Sequence, residues 1–186
     1  MLKNRYRRIT IFFARILVSF AFWDILLPYL GMRRLSEGTR QERFRKAAVS
    51  FRRLAVDIGG VMIKVGQFLS SRLDILPSVI TDELSGLQDE VVEEPFSSMK
   101  VVLEQELGNI IDGFIAFEER AVASASIGQV YKATIKKRNS DSEIPEPPYH
   151  VVVKIQRPNI EVIVATDLAA LRTVGGWIYR YNPIRR

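Results

Sequence analysis

From Phe44 to Leu69 the apolar residues advance in steps of three and four: Phe44, Ala47/Ala48, Phe51, Leu54/Ala55, Ile58, Val61/Met62, Val65 and Phe68/Leu69. That spacing keeps one side of an α-helix apolar for about seven turns. After Gly113 the signals change to those of strands, with candidates at Phe114–Val122, Gln129–Ile135 and 151–156. Strand alternation puts Val151, Val153 and Ile155 on one face and Val152, Lys154 and Gln156 on the other. A helical seam and an alternating run cannot exchange roles, so the chain is predicted to be α+β, helices first and a sheet second.

Three glycines, Gly59, Gly60 and Gly66, fall inside the seam. Each costs a helix about 1 kcal/mol relative to alanine, so close packing against the backbone is the expected reason for them. Lys64, Gln67 and Ser71 recur at i, i+3 and i+7 and share a face beside the seam. Leu76-Pro77-Ser78 interrupts the helix, and Ile80, Leu84, Leu87 and Val91 resume its spacing. Ser97 is the expected N-cap of a further helix carrying Met99, Val102, Leu103 and Leu107 and closed by Gly108. Between the last two strands, Lys136–Glu143 and Pro145–Pro148 read as an exposed polar loop. Arg157-Pro158-Asn159 then opens a final helix with Ile160, Ile163/Val164, Leu168, Leu171, Val174 and Ile178 inward. The predicted divisions are 1–35, a basic and apolar helix; 36–113, an all-helical unit; and 114–186, the sheet with its final helix.

The absence of cysteine excludes a disulfide framework and thiolate chemistry, and His150 is the only histidine, which excludes a multi-histidine metal site. The net charge of +6 is unevenly spread. Residues 1–53 carry 13 basic and 3 acidic side chains, residues 54–119 carry 3 and 13, and residues 120–186 carry 11 and 5. Such asymmetry suits an N-terminal segment facing an anionic surface, or one packed on the acidic middle of its own chain.

Ile9–Leu30 is apolar enough to suggest a membrane span, but Arg15 and Asp24 interrupt it. Each would cost about 3 kcal/mol at the centre of a bilayer. They are nine residues apart and fall on opposite helix faces. Flanked by Lys3, Arg5, Arg7, Arg8, Arg33 and Arg34, the segment fits a helix lying in the interface of an anionic membrane. Packing on its own domain is the alternative. Pro28 and Gly31 are expected to end it. Nucleic acid is not an expected partner, because the basic residues flank an apolar stretch and no nucleic-acid-binding motif accompanies them. Trp23 and Trp177 read as core or interface anchors and His150 as an exposed residue before a strand.

Lys154 is a lone charge in a run of valines, and Ala123-Ser124-Ala125-Ser126 is a small-residue turn ahead of the preceding strand. Either feature alone is unremarkable: strand lysines reach solvent, and small residues make tight turns. Together they suit phosphate, since a small turn admits a close approach and a lysine neutralises charge.

Lys64-Val65-Gly66-Gln67, the stretch Phe68–Pro77, Leu84–Val91, Ala123–Ser126 and Val151–Pro158 follow in order. They resemble the KxGQ block, the segments after it, the alanine-rich AxAS loop and the nucleotide-lysine strand of the UbiB-like (AarF-type) atypical kinases. The resemblance runs from about residue 5 to the end. It implies an N-terminal helical KxGQ extension followed by the first strands and a helix of a protein-kinase-like small lobe. It implies ATP as cofactor, held by Lys154, by Ala123, Ser124, Ala125 and Ser126, and by Lys64 and Gln67 from a helix over the nucleotide. It also implies a small-molecule or lipid substrate, a role in isoprenoid-quinone (ubiquinone) or lipid metabolism, and a peripheral place on the cytoplasmic face of a membrane with isoprenoid lipid as partner. In that family the ExD motif, the glutamate partner of the strand lysine, the catalytic-loop Asp and Asn, and the DFG-like Asp lie beyond the position of residue 186. No catalytic or metal-binding residue is therefore assigned here, although Mg²⁺ is expected for the full-length family. The 186 residues are expected to be an inactive fragment with an uncovered sheet face. The competing expectation is a short non-catalytic module that binds membrane lipid or a partner.

Overall fold

The structure is a computed structural model that describes residues 2–88, 92–135 and 148–180. The polar loop at 136–147, Asp89–Val91 and 181–186 lie outside the described residues. Contacts divide the chain into two units, residues 1–90 with 161–186 and residues 91–160.

In the first unit, α1 (Leu2–Phe20) runs through a π-helical turn at Ala21–Leu26 into α2 (Leu27–Tyr29). The helix ends at Tyr29, one residue past Pro28, as expected. The chain turns at Leu30–Gly31, where Gly31 has φ +79°. The long helix α3 (Arg33–Ile58), α4 (Val61–Ser70) and α5 (Ser78–Ser85) pack on one another, and α7 (Ile160–Arg180) completes the unit. Phe51, Ala55, Met62, Ile63, Leu84 and Leu87 are buried, and the rings of Phe12 and Phe13 lie 5.9 and 6.0 Å from that of Phe51.

The seam is not one helix. Gly59 (φ +63°, ψ −155°) and Gly60 (φ +63°, ψ −133°) break it between α3 and α4. The left-handed region they occupy is open to glycine and strained for other residues, so these two glycines end one helix and begin the next where the sequence reading took them as interior. Gly66 has the expected reason: a Cβ there would overlap Leu87 Cδ1 and lie 3.1 Å from Phe51 Cε1.

Asp24, counted above as a cost in a bilayer, is answered from α3. Its carboxylate lies 3.1 Å from Arg43 Nη2 and 3.5 Å from Arg40 Nε, while the Arg43 guanidinium sits 5.0 Å from the Trp23 ring centre. On α7, Ile160, Asp167, Ala170 and Val174 are buried, whereas Leu168 and Ile178 are exposed. The expected inward set therefore holds only in part, and a carboxylate occupies its centre.

The second unit is a four-stranded antiparallel sheet with one helix. Strand β3 (Gly128–Ile135) is central. Strand β4 (Tyr149–Gln156) pairs along its whole length on one edge. On the other edge β1 (Phe114–Phe117) and β2 (Ala123–Ala125) pair with successive parts of β3. The predicted strand Phe114–Val122 is thus two pieces, and the small-residue turn is partly strand, with the turn itself at Ser126–Ile127. Helix α6 (Phe96–Leu107), grouped above with the all-helical unit, packs on this sheet: Met99 and Leu103 share a buried cluster with Tyr131 and Ile155, backed by Phe96, Phe117 and Val153. Its N-cap position is Pro95, not Ser97. Burial alternates as predicted on β4, with Ile155 inside and Val152, Lys154 and Gln156 outside. The outer face stays open, Val152 being 71% exposed.

Candidate functional site

Strand register places the candidate residues of the sheet. Ala123 pairs with Val130, and Val130 with Lys154. Directly opposed residues of an antiparallel pair project to the same face, so Ala123, Val130 and Lys154 form one row across three strands, about 10 Å from end to end. The next outward row is Ala125, Gly128 and Gln156. Lys154 therefore stands beside a floor of small residues. Among the described residues no carboxylate lies within ion-pair distance of its ammonium.

Ser124 belongs to the inner row with Gln129 and Ile155, and a guanidinium fixes it there. Arg157 Nη2 donates to Ser124 Oγ at 3.1 Å and to the Val92 carbonyl at 2.6 Å, Nε donates to the Ala125 carbonyl at 3.1 Å, and Nη1 meets Glu94 Oε1 at 3.1 Å. The Arg157 amide also donates to the Ile127 carbonyl at 3.0 Å. Beneath it the buried Gln129 side chain bonds both the amide and the carbonyl of Glu94 and the Tyr131 hydroxyl. Burial pushes the Tyr131 hydroxyl above its ordinary pKa; the Glu93 carboxylate adds to this and Arg157 opposes it. The sequence placed Arg157 in the strand-end block and at the opening of the final helix, with no bridging role, and gave Gln129 no role. The signal available for Arg157 was its position directly after the lysine strand. Gln129 carried none beyond its place at the start of a strand.

Ser126 closes β2. It is 3% exposed, and its Oγ has no hydrogen-bond partner among the described residues. Such a hydroxyl is costly to leave unmet and needs an acceptor or a donor from elsewhere. An ammonium with no carboxylate partner among the described residues, standing over the small side chains of Ala123, Ala125 and Gly128, fits a phosphate chain, whereas the Ser126 hydroxyl is buried. No group of three or more His, Asp or Glu side chains able to hold a metal ion occurs among the described residues, so no step here is assigned to Mg²⁺. An open cavity of about 490 Å³ lies along Lys132, Thr134, His150 and Val152, and neither Lys154 nor Ala123–Ser126 lines it.

The other two candidates lie in the first unit, on α4. Lys64 is exposed, and its ammonium donates to Gln67 Oε1 at 3.0 Å. Gln67 Nε2 in turn donates to the Leu87 carbonyl at 3.2 Å, which ties this pair to the residue that packs on Gly66. The expected shared face is thus realised as a hydrogen-bonded Lys64–Gln67 pair, whereas Ser71 turns to the Phe68 carbonyl.

The family described as ABC1 atypical kinase-like domain matches residues 86–186. An aarF domain-containing protein kinase of Arabidopsis thaliana chloroplasts is 34% identical over 170 residues, which are 89% of this chain and 22% of that protein. A probable protein kinase UbiB of Azotobacter vinelandii is 37% identical over 84% of this chain and 25% of its own length. The corresponding protein of Pasteurella multocida is 41% identical over 69% of this chain and 25% of its own length. The chain thus spans about a quarter of the length of the curated relatives it matches.

Proposed function

The chain belongs to the ABC1 atypical kinase-like family, and from that premise we propose that it supplies the N-terminal, ATP-binding part of a UbiB-like kinase or ATPase. The observation that carries this is the outward row of Ala123, Val130 and Lys154. ATP, when bound, supplies the phosphoryl group. The chain's own residues bind and orient it. Lys154 neutralises phosphate charge, Ala123–Ser126 let the backbone approach, and Arg157 holds that segment still. The resemblance to the family adds Lys64 and Gln67 of α4 to the residues expected to serve the nucleotide. The reading extends to isoprenoid-quinone or lipid metabolism, with a small-molecule or lipid substrate.

The test is titration of the 186-residue chain with a fluorescent ATP analogue. Lys154→Ala should weaken binding at least tenfold, about 1.4 kcal/mol. Equal affinity of the two proteins would sink the assignment.

A second reading, a membrane-lipid-binding module, is favoured by α1. Its outward stripe is basic at one end, with Arg7, Arg8 and Arg15 around a cleft of about 270 Å³, and apolar at the other, where Val18 is 68% exposed and, in the π-helical turn that follows, Phe22 is 46% exposed. Arg8 is paired with Asp57, but Arg7 and Arg15 have no carboxylate partner among the described residues. This stripe supports a peripheral place on an anionic, cytoplasmic membrane surface. Flotation with anionic vesicles and without ATP binding would favour the module. Both activities together fit the kinase reading.

A further inference from the structure

The break between α3 and α4 is closed by a buried ion pair whose two charges face different helix ends. Asp167 of α7 is fully buried. Its Oδ1 accepts from Arg5 Nε at 2.6 Å, and its Oδ2 from Arg5 Nη2 at 2.7 Å and from the Val61 amide at 3.2 Å. Arg5, near the start of α1, also donates to the carbonyls of Ile58 and Gly59, the latter at 3.1 Å. Ile58 is the last residue of α3 and Val61 the first of α4. The guanidinium thus meets the carbonyl end of one helix and the carboxylate the N–H end of the next. Each is the sign that the helix dipole favours there. The arrangement leaves little room for a side chain at position 60: a Cβ on Gly60 would lie 2.8 Å from Arg5 Nη2, 3.1 Å from Ile163 Cγ2 and 3.3 Å from Asp167 Oδ2.

General stability does not account for such a pair, since well-packed apolar residues often serve a fold as well as a buried salt bridge. What apolar residues cannot do is bond three backbone groups on two helix ends and so fix the angle between the helices. We propose that Arg5 and Asp167 are positioning residues for Lys64 and Gln67, setting the start and direction of α4 by capping opposite helix ends across Gly59-Gly60. The functional half of this inference rests on the reading that Lys64 and Gln67 act on bound nucleotide.

The experiment compares the whole chain with Asp167→Asn, Arg5→Lys, the charge exchange Arg5→Asp/Asp167→Arg, and Val174→Ala, a change at a buried site on the same helix away from the caps. Amide exchange at residues 61–65 and the dissociation constant of a fluorescent ATP analogue are read. Asp167→Asn should speed exchange at 61–65 at least tenfold relative to the other helices and weaken the analogue at least fivefold. Arg5→Lys should fall between it and wild type, and decides the matter if Asp167→Asn does not fold. The charge exchange should rescue neither readout, because it sets each charge against the wrong helix end. Val174→Ala should lower the unfolding midpoint while leaving both readouts within twofold. Rescue by the charge exchange, or an Asp167→Asn effect no larger than that of Val174→Ala, overturns the proposal. A wild-type chain that binds no analogue overturns the nucleotide reading and the functional half with it, and the exchange arm alone then decides whether the pair positions α4.

Discussion

Gly66→Ala sets two opposing effects against each other at the centre of the KxGQ block. Alanine is the better helix former by about 1 kcal/mol. Against that, the new methyl would overlap Leu87 Cδ1 and press on Phe51 Cε1 at 3.1 Å. Leu87 is fully buried and Phe51 is 5% exposed within the ring cluster of Phe12 and Phe13, so neither can yield by swinging into water. Overpacking of this kind costs about 1–3 kcal/mol. The clash should win, leaving the variant less stable by about 1 kcal/mol, with a urea midpoint lower by about 0.5 M. Leu87→Ala alone opens a cavity and should cost about 2–5 kcal/mol. It also removes the closer of the two obstacles, leaving Phe51 Cε1 at 3.1 Å. Adding Gly66→Ala to Leu87→Ala should therefore stabilise, by up to about 1 kcal/mol from helix propensity. The sign of one substitution thus reverses with its background, a coupling that a double-mutant cycle reads directly. A Gly66→Ala effect of the same sign in both backgrounds would refute the packing argument. Because Gln67 bonds the Leu87 carbonyl, moving Leu87 also disturbs the Lys64–Gln67 pair.

Two further outcomes concern the sheet unit. Arg157→Met removes the donor shared by Val92, Glu94, Ser124 and Ala125 and should destabilise by about 2 kcal/mol, with faster amide exchange at 123–126. Arg157→Lys should recover less than half of the protection, because one ammonium cannot span the four acceptors; full recovery would refute the bridging role. The raised pKa of Tyr131 means that the folded unit resists ionisation of the phenol more than the unfolded chain does. Its contribution is intact below pH 10.0, the ordinary value, and is lost as pH rises beyond it. Denaturation midpoints measured from pH 9 to 11 should fall more steeply for wild type than for Tyr131→Phe, and parallel curves would refute this.

How much could be read in advance depended on whether a residue answered to a pattern or to a distant partner. Alternation on β4 fixed which face carries Lys154, and the three- and four-residue steps located the helices, because both signals are local and periodic. The resemblance supplied what spacing could not: the expectation that Lys64, Gln67, Ala123–Ser126 and Lys154 serve one chemistry. Arg157, Gln129 and the Arg5–Asp167 pair were illegible for the opposite reason. Gln129 reaches Glu94, 35 residues away, and Arg5 reaches Asp167, 162 residues away, and no periodicity spans such gaps. Asp24 followed the same rule, since its charge counted as a cost until Arg43 of the neighbouring helix came within 3.1 Å.

The glycines divide on this line. Gly59, Gly60 and Gly66 look alike in the sequence, and all three were expected to mark a close approach. Gly66 does so with helical backbone and Gly60 does so at φ +63°, whereas Gly59, also at φ +63°, has open space around it; Gly59 and Gly60 together separate α3 from α4. A pair of adjacent glycines costs a continuous helix about 2 kcal/mol, twice what a lone one does. That excess favours a break at 59–60 over one at 66, a signal the sequence reading left unused by taking all three as interior. The break then exposes carbonyls at the end of α3 and amides at the start of α4, and a buried cation and anion are the groups that satisfy them. Arg5 and Asp167 are thus the physical consequence of Gly59-Gly60. Replacing the two glycines by alanines should straighten the seam and take the Val61 amide away from Asp167, so amide exchange at 61–65 should rise as it does in Asp167→Asn.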